Sequence, residues 1–129
     1  MSITTTAQTL IDGHRSVVMH FTGTHDGQGG QEKNTVKVDV SALSPPCSFV
    51  RIRKVQYSVS HGLLKVQWGD EAGPVDFLVL DGTDEVDFSK VGGARNGGGY
   101  SSTGDIVFTT DGFERGSAYS VTLEMIKSF

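Results

Sequence analysis

The sequence contains one cysteine, three prolines and one tryptophan in 129 residues. A lone Cys47 has no intramolecular disulfide partner, so no disulfide framework can substitute for a hydrophobic core. No apolar run approaches the roughly 20 residues of a membrane-spanning helix. The opening MSITTTAQTL lacks the basic start and apolar run of a secretory signal, which predicts folding in a reducing cytoplasm. Cationic excess is also missing. Eleven Lys and Arg against fifteen Asp and Glu leave a formal charge of −4, which argues against a primary role on nucleic acid or a membrane surface. No stretch sustains a 3.6-residue apolar period. The seventeen glycines suit turns and open loops, because glycine weakens a helix interior by up to about 1 kcal/mol.

Motifs of catalysis and metal binding are equally sparse. His14, His20, His25 and His61 form no HExxH or short-spaced pair, and read as solvent-facing or turn histidines. Cys47 follows two prolines with no base beside it, so it reads as a strand-start residue rather than a nucleophile. The turn at Asp81, Asp84 and Glu85 lacks the dense ligand spacing of a calcium loop. Gly92-Gly93 and Gly97-Gly98-Gly99 do not lead from a strand into an amphipathic helix, as a phosphate cradle requires. The expectation is a non-enzymatic protein with no catalytic residue, metal or cofactor.

What the chain does have is alternation. In Tyr119 to Ile126, Tyr119, Val121, Leu123 and Met125 fall on one side and Ser120, Thr122 and Glu124 on the other, the period of a half-buried strand. Ile106 to Thr110 behaves likewise, and the two runs predict a hairpin or two neighbouring strands. Arg15 to Phe21 turns Val17, Met19 and Phe21 inward, and Thr35 to Val40 turns Val36, Val38 and Val40 inward. Phe49 to Ser60 slips phase at Arg53-Lys54, since Val50 and Ile52 precede Val55, Tyr57 and Val59, which predicts a bulge or corner. After a turn at His61-Gly62, Leu64, Val66 and Trp68 form a partner strand. Their shared phase places Trp68 in the core ahead of a sugar-stacking platform with Tyr57. Val75 to Leu80 reads as a strand covered on both sides, and Val86 and Phe88 begin a short one. The prediction is an all-β, single-domain β-sandwich over residues 1–129, jelly-roll or immunoglobulin-like, of eight or nine antiparallel strands. Residues 1–11 are an extended N-terminal arm or a first strand.

Two segments have little internal reason to be ordered yet keep side chains suited to contact. These are Ile3 in the arm, and Arg95, Asn96 and Tyr100 in the glycine-rich stretch 91–104. Arg51 and Arg53 on one strand face, with Lys54 nearby and Lys65 on the adjacent strand, are the second candidate, either a docking strip for an acidic surface or an ordinary solvated face.

The segments Asp12-Gly13-His14-Arg15-Ser16-Val17-Val18, Val50-Arg51-Ile52-Arg53-Lys54-Val55-Gln56-Tyr57, Asp87-Phe88 with Gly92-Gly93, and Thr103-Gly104-Asp105-Ile106-Val107-Phe108-Thr109-Thr110 with Tyr119-Ser120-Val121-Thr122-Leu123-Glu124-Met125 run in an order that resembles small virion proteins of tailed bacteriophages, notably phages of marine bacteria and cyanobacteria. The likeness spans nearly the whole chain and rests on turn and strand signals. It implies a capsid decoration, or cement, protein made in the bacterial host cytoplasm and carried on the capsid exterior. The implied partner is the major capsid protein, with homo-oligomerisation on the lattice. A tail, neck or baseplate subunit and a carbohydrate-binding β-sandwich module are the alternatives.

Overall fold

A two-residue apolar period marks β2, β7 and the first half of β4, and β4 hydrogen-bonds to three other strands. A computed structural model describes residues 3–25, 35–43, 45–47, 49–70, 75–91, 93–94, 102–114 and 116–128. Seven strands follow in chain order: β1 (Ile3–Asp12), β2 (Ser16–His25), β3 (Thr35–Val38), β4 (Phe49–Asp70), β5 (Val75–Asp87), β6 (Ser102–Asp111) and β7 (Ala118–Ser128). Short 3-10 turns at Val40–Ala42 and Ser89–Val91 complete the set. Pairing is antiparallel throughout, in the order β1-β2-β7-β4-β6-β3, with β5 on the other edge of β4. No helix among the described residues is long and apolar enough to cross a membrane.

The fold is all-β, as the alternation predicts, with seven strands among the described residues against the eight or nine expected. His61-Gly62 is not a hairpin turn. β4 runs 22 residues through it, pairing with β7 up to Ser60 and with β6 from Leu63 onward. β5 follows β4 around the same bend: Val59 pairs Gly82 and Leu64 pairs Leu80, so residues 60–63 of β4 pass over residue 81 alone. The extra length on one strand turns both, and positive φ at His61 (59°) and Gly82 (80°) supplies the change of direction. The runs on either side of each bend are therefore halves of one strand. β4 and β5 carry the sheet from one layer, β1-β2-β7 with the first half of β4, into the other, β3-β6 with its second half.

The same bend corrects the C-terminal hairpin. β6 and β7 do not pair with each other; both pair with β4, one on each side of the corner. Their connection plugs the corner from inside. Phe113 is buried against Gly62, where even a Cβ would collide with its ring, and buried Ser117 accepts a bond from Glu114 N (2.9 Å) while donating to His61 O (2.8 Å).

The expected bulge in β4 is present. Ile52 pairs Met125 and Lys54 pairs Glu124, leaving Arg53 as an extra residue, so both Ile52 and Val55 are fully buried. Inward residues of β7 are buried as the pattern requires, and buried Lys127 extends their row. Trp68 is core, 4.9 Å from the Phe77 ring, with Phe88 beyond. The layers meet in a second aromatic chain, Phe21, Phe108, Tyr119 and Phe113, with centroids 5.4, 5.8 and 6.2 Å apart.

Three local expectations change. Val36 lies half exposed, because a register shift between Val36 and Val38 turns it away from the buried side that Val38 and Val40 keep. Val75 to Leu80 is not covered on both sides: Val75 and Val79 lie on a face that nothing among the described residues closes over, and Leu80 alone is fully in the core. His25 is buried rather than solvent-facing, held where His25 N donates to Ser117 O. Of the two expectations for residues 1–11, it is the first strand that the described residues form, with Ile3 opposite His25 and Asp12 opposite Val17.

Candidate interaction surface

Register converts the outward residues of the first layer into rows that cross five strands. Thr6 pairs Thr22, Thr22 pairs Ser120, Ser120 pairs Ser58 and Ser58 pairs Thr83, so five hydroxyl residues stand in line across β1, β2, β7, β4 and β5. The next row is Gln8, His20, Thr122, Gln56 and Glu85, and the next Ile11, Val18, Glu124, Lys54 and Asp87. Adjacent strands lie about 4.8 Å apart, which spaces the groups within each row.

Lateral bonds hold these side chains. Thr6 and Thr22 share a hydroxyl contact, and Ser58 Oγ lies 2.9 Å from Thr83 Oγ1. His20 Nδ1 lies 2.8 Å from Thr122 Oγ1, and Gln56 Nε2 donates to Glu85 Oε1 at 3.1 Å. Lys54 Nζ meets the same Glu85 oxygen at 2.6 Å. The hydrogen bond from Lys54 holds the Glu85 carboxyl below its usual range, and Glu85 in turn raises the Lys54 ammonium. Asp87 is held low chiefly by the Ser89 hydroxyl. The result is a largely polar face of mutually bonded donors and acceptors. Such groups can recognise a complementary polar surface, and His20 stands between two of the hydroxyls, its Nε2 3.4 Å from Ser120 Oγ as well as its Nδ1 beside Thr122. Among the described residues no three His, Cys, Asp or Glu side chains converge on a common point.

Arg51 and Arg53 sit at one end of this face. Both point away from the core, because the bulge at Arg53 lets Lys54 rather than Arg53 take up the strand phase. The surroundings are not a cationic strip. A 170 Å³ cleft is lined by Arg53, Lys54, Asp87, Ser89 and Glu124, so carboxylates offset the cations. Lys65 is not on an adjacent strand: it lies on β4 itself, beyond the corner, between Val79 and Thr109. Arg51 is half-buried, and its Nε has no hydrogen-bond partner among the described residues.

Ala94 fastens the glycine-rich segment beside these arginines. Its N–H and C=O exchange 2.8 Å bonds with Ile52, next to the bulge. Gly93 precedes it at φ +93°, with its missing Cβ 2.9 Å from Arg51 Cβ. A side chain here faces both a left-handed backbone and a collision, so Gly93→Ala is expected to cost about 1–2 kcal/mol. Hydrogen exchange should show the Ala94 amide losing protection first. Arg95, Asn96 and Tyr100 lie outside the described residues, as does the side chain of Ile3. The hydroxyl rows escaped sequence reasoning because period two marks them only as outward; alignment needs the register of five strands.

No protein-family model and no curated protein matches the chain. Solved structures resemble it only in outline. The carbohydrate-binding module titled BiXyn10A CBM1 matches at TM-score 0.44 and 11% identity, over 95% of this chain and 90% of that one. A cupin domain from Bordetella pertussis matches at 0.40 and 14%, over 96% and 94%. A protein of unknown function from Streptococcus pyogenes matches at 0.40 and 11%, over 98% and 76%. These likenesses concern the β architecture alone.

Proposed function

We propose that the protein is a non-enzymatic capsid decoration protein that binds the outside of a tailed-phage head through the major capsid protein. The observation that carries this reading is the five-strand polar face, whose side chains are already bonded to one another. Side chains fixed before docking lose little further conformational freedom, which lowers the cost of binding a broad protein surface. Weak contacts of this kind suit a lattice, where repetition raises the effective concentration of each further contact. Trp68, which a sugar platform with Tyr57 would need at the surface, is only 5% exposed, which weighs against that platform.

Retention on purified, undecorated capsids, beside a glycan panel and immunolabelled particles, tests the proposal. Ser58→Arg places a long charged side chain in the middle of the hydroxyl row, where the wild-type residue is already exposed. It is expected to weaken capsid retention by about tenfold or more while leaving the melting temperature unchanged. Full retention of that variant would remove the face from the interface. Label on the tail would favour the tail, neck or baseplate reading, and glycan capture without capsid binding would favour the carbohydrate-binding one.

A further inference from the structure

We infer that two copies of the chain associate edge to edge through β1, in antiparallel fashion about a two-fold axis. This edge borders the polar face, whose rows begin at Thr6, Gln8 and Ile11 of β1, but the association does not depend on the capsid reading.

The sheet has three edges, and they are built differently. β3 is four residues long, carries Lys37, and gives way to a 3-10 turn and then to Pro45 and Pro46. β5 bears Asp76, Asp81, Asp84, Glu85 and Asp87, all exposed. Shortness, proline and charge are the devices by which edge strands avoid pairing with another chain. β1 has none of them over most of its length. From Ile3 to Ile11 it holds no charged residue and no proline, and it is rich in threonine, a good strand former. Its one irregularity, the extra residue between Thr9 and Ile11, lies near its end.

β1 is also bare on both faces. Thr6 to Ile11 are all exposed, including Ala7 and Thr9, which share a face with buried Phe21 and half-buried Met19 of β2. Leu10 and Ile11 are 50% and 53% exposed. β1 therefore extends past the shelter of the opposite layer, and among the described residues no strand pairs with its outer edge.

Charge leaves the β1 edge as the place where a second copy can approach, and the strand's symmetry makes a second copy the fitting occupant. Copies of a chain with net charge −4 repel one another, most strongly at the acidic β5 edge, whereas the neutral β1 edge allows close approach. An antiparallel strand pair is self-complementary under a two-fold axis, so one uncharged strand suffices for both partners. Ala7 lies midway between Ile3 and Ile11, and its small side chain leaves the centre of such a pair open. A single strand pair is a small interface, at the weak end of specific association.

Sedimentation equilibrium of the full chain from about 10 µM to about 1 mM tests this. The expected result is a concentration-dependent species of twice the 13.8 kDa monomer. Ala7→Lys should weaken the association by about a hundredfold or more, because it sets like charges across the axis, and should leave the melting curve unchanged, because Ala7 is exposed. Val79→Lys, on an exposed part of β5, should still dimerise. Hydrogen exchange should show the outward amides of β1 protected at high concentration and exchanging freely in Ala7→Lys. A wild-type chain that stays monomeric throughout, a dimer indifferent to Ala7→Lys, or a dimer dispersed by Val79→Lys would each overturn the inference.

Discussion

Phe108→Ala is expected to remove about 3–5 kcal/mol of stability, as large-to-small changes of fully buried aromatics do. Phe108 has no exposed surface and stands on β6, in the second layer. Its ring meets Phe21 of β2 and Tyr119 of β7, in the first layer, at 5.4 and 5.8 Å, both edge-on. Truncation opens a cavity between the layers and removes two aromatic contacts, each worth about 0.5–1.5 kcal/mol beyond its buried area. A domain of this size loses about 4 °C of melting temperature per kcal/mol, so the transition should fall by about 12 °C or more. Phe88→Ala, at a half-buried ring beside β5, should cost less. A fall of under about 4 °C for Phe108→Ala would mean that the layers do not close on this ring.

Asp12→Ala is expected to cost about 3–5 kcal/mol, although Asp12 lies near the end of an edge strand. Its Oδ1 sits 2.7 Å from Lys127 Nζ, and the lysine side chain has no exposed surface while that of Asp12 keeps 22%. At that separation the two groups form a close ion pair whose lysine side is shut off from solvent. Removing the carboxylate leaves an ammonium in the core with its charge uncompensated. Lys127→Met should cost less, because it substitutes an apolar chain of similar length and leaves the carboxylate its path to water. Adding Lys127→Met to Asp12→Ala should therefore recover stability. Urea midpoints at constant m decide the comparison. A loss under about 1 kcal/mol for Asp12→Ala, or a double variant weaker than that single one, would show that the ammonium reaches solvent.

Lys127 also shows where reading by pattern stops. Its phase continues Tyr119, Val121, Leu123 and Met125, so its inward direction is legible in the chain, yet a lysine at a strand end reads as solvated until Asp12 is known to lie beside it. The bulge at Arg53 was legible for the opposite reason. A phase slip between two apolar halves has no other way to bury both Ile52 and Val55, and that constraint is local. The corner at His61-Gly62 was not. A glycine-containing break between two alternating runs looks the same whether the chain reverses or bends, and the choice depends on Phe113 and Ser117 filling the inside of the bend from fifty residues away.

Alternation in the sequence determined which residues of β2, β7 and the first half of β4 face the core, and with them the all-β class, because side chains on a strand must leave on opposite sides. Tertiary structure alone decided that the eight or nine expected strands are seven among the described residues, that β6 and β7 part around β4, and that five hydroxyl residues from five strands stand in one row. Each of these depends on register between segments far apart in sequence. Register is set by the sum of contacts across a whole strand pair, a quantity that no single segment carries.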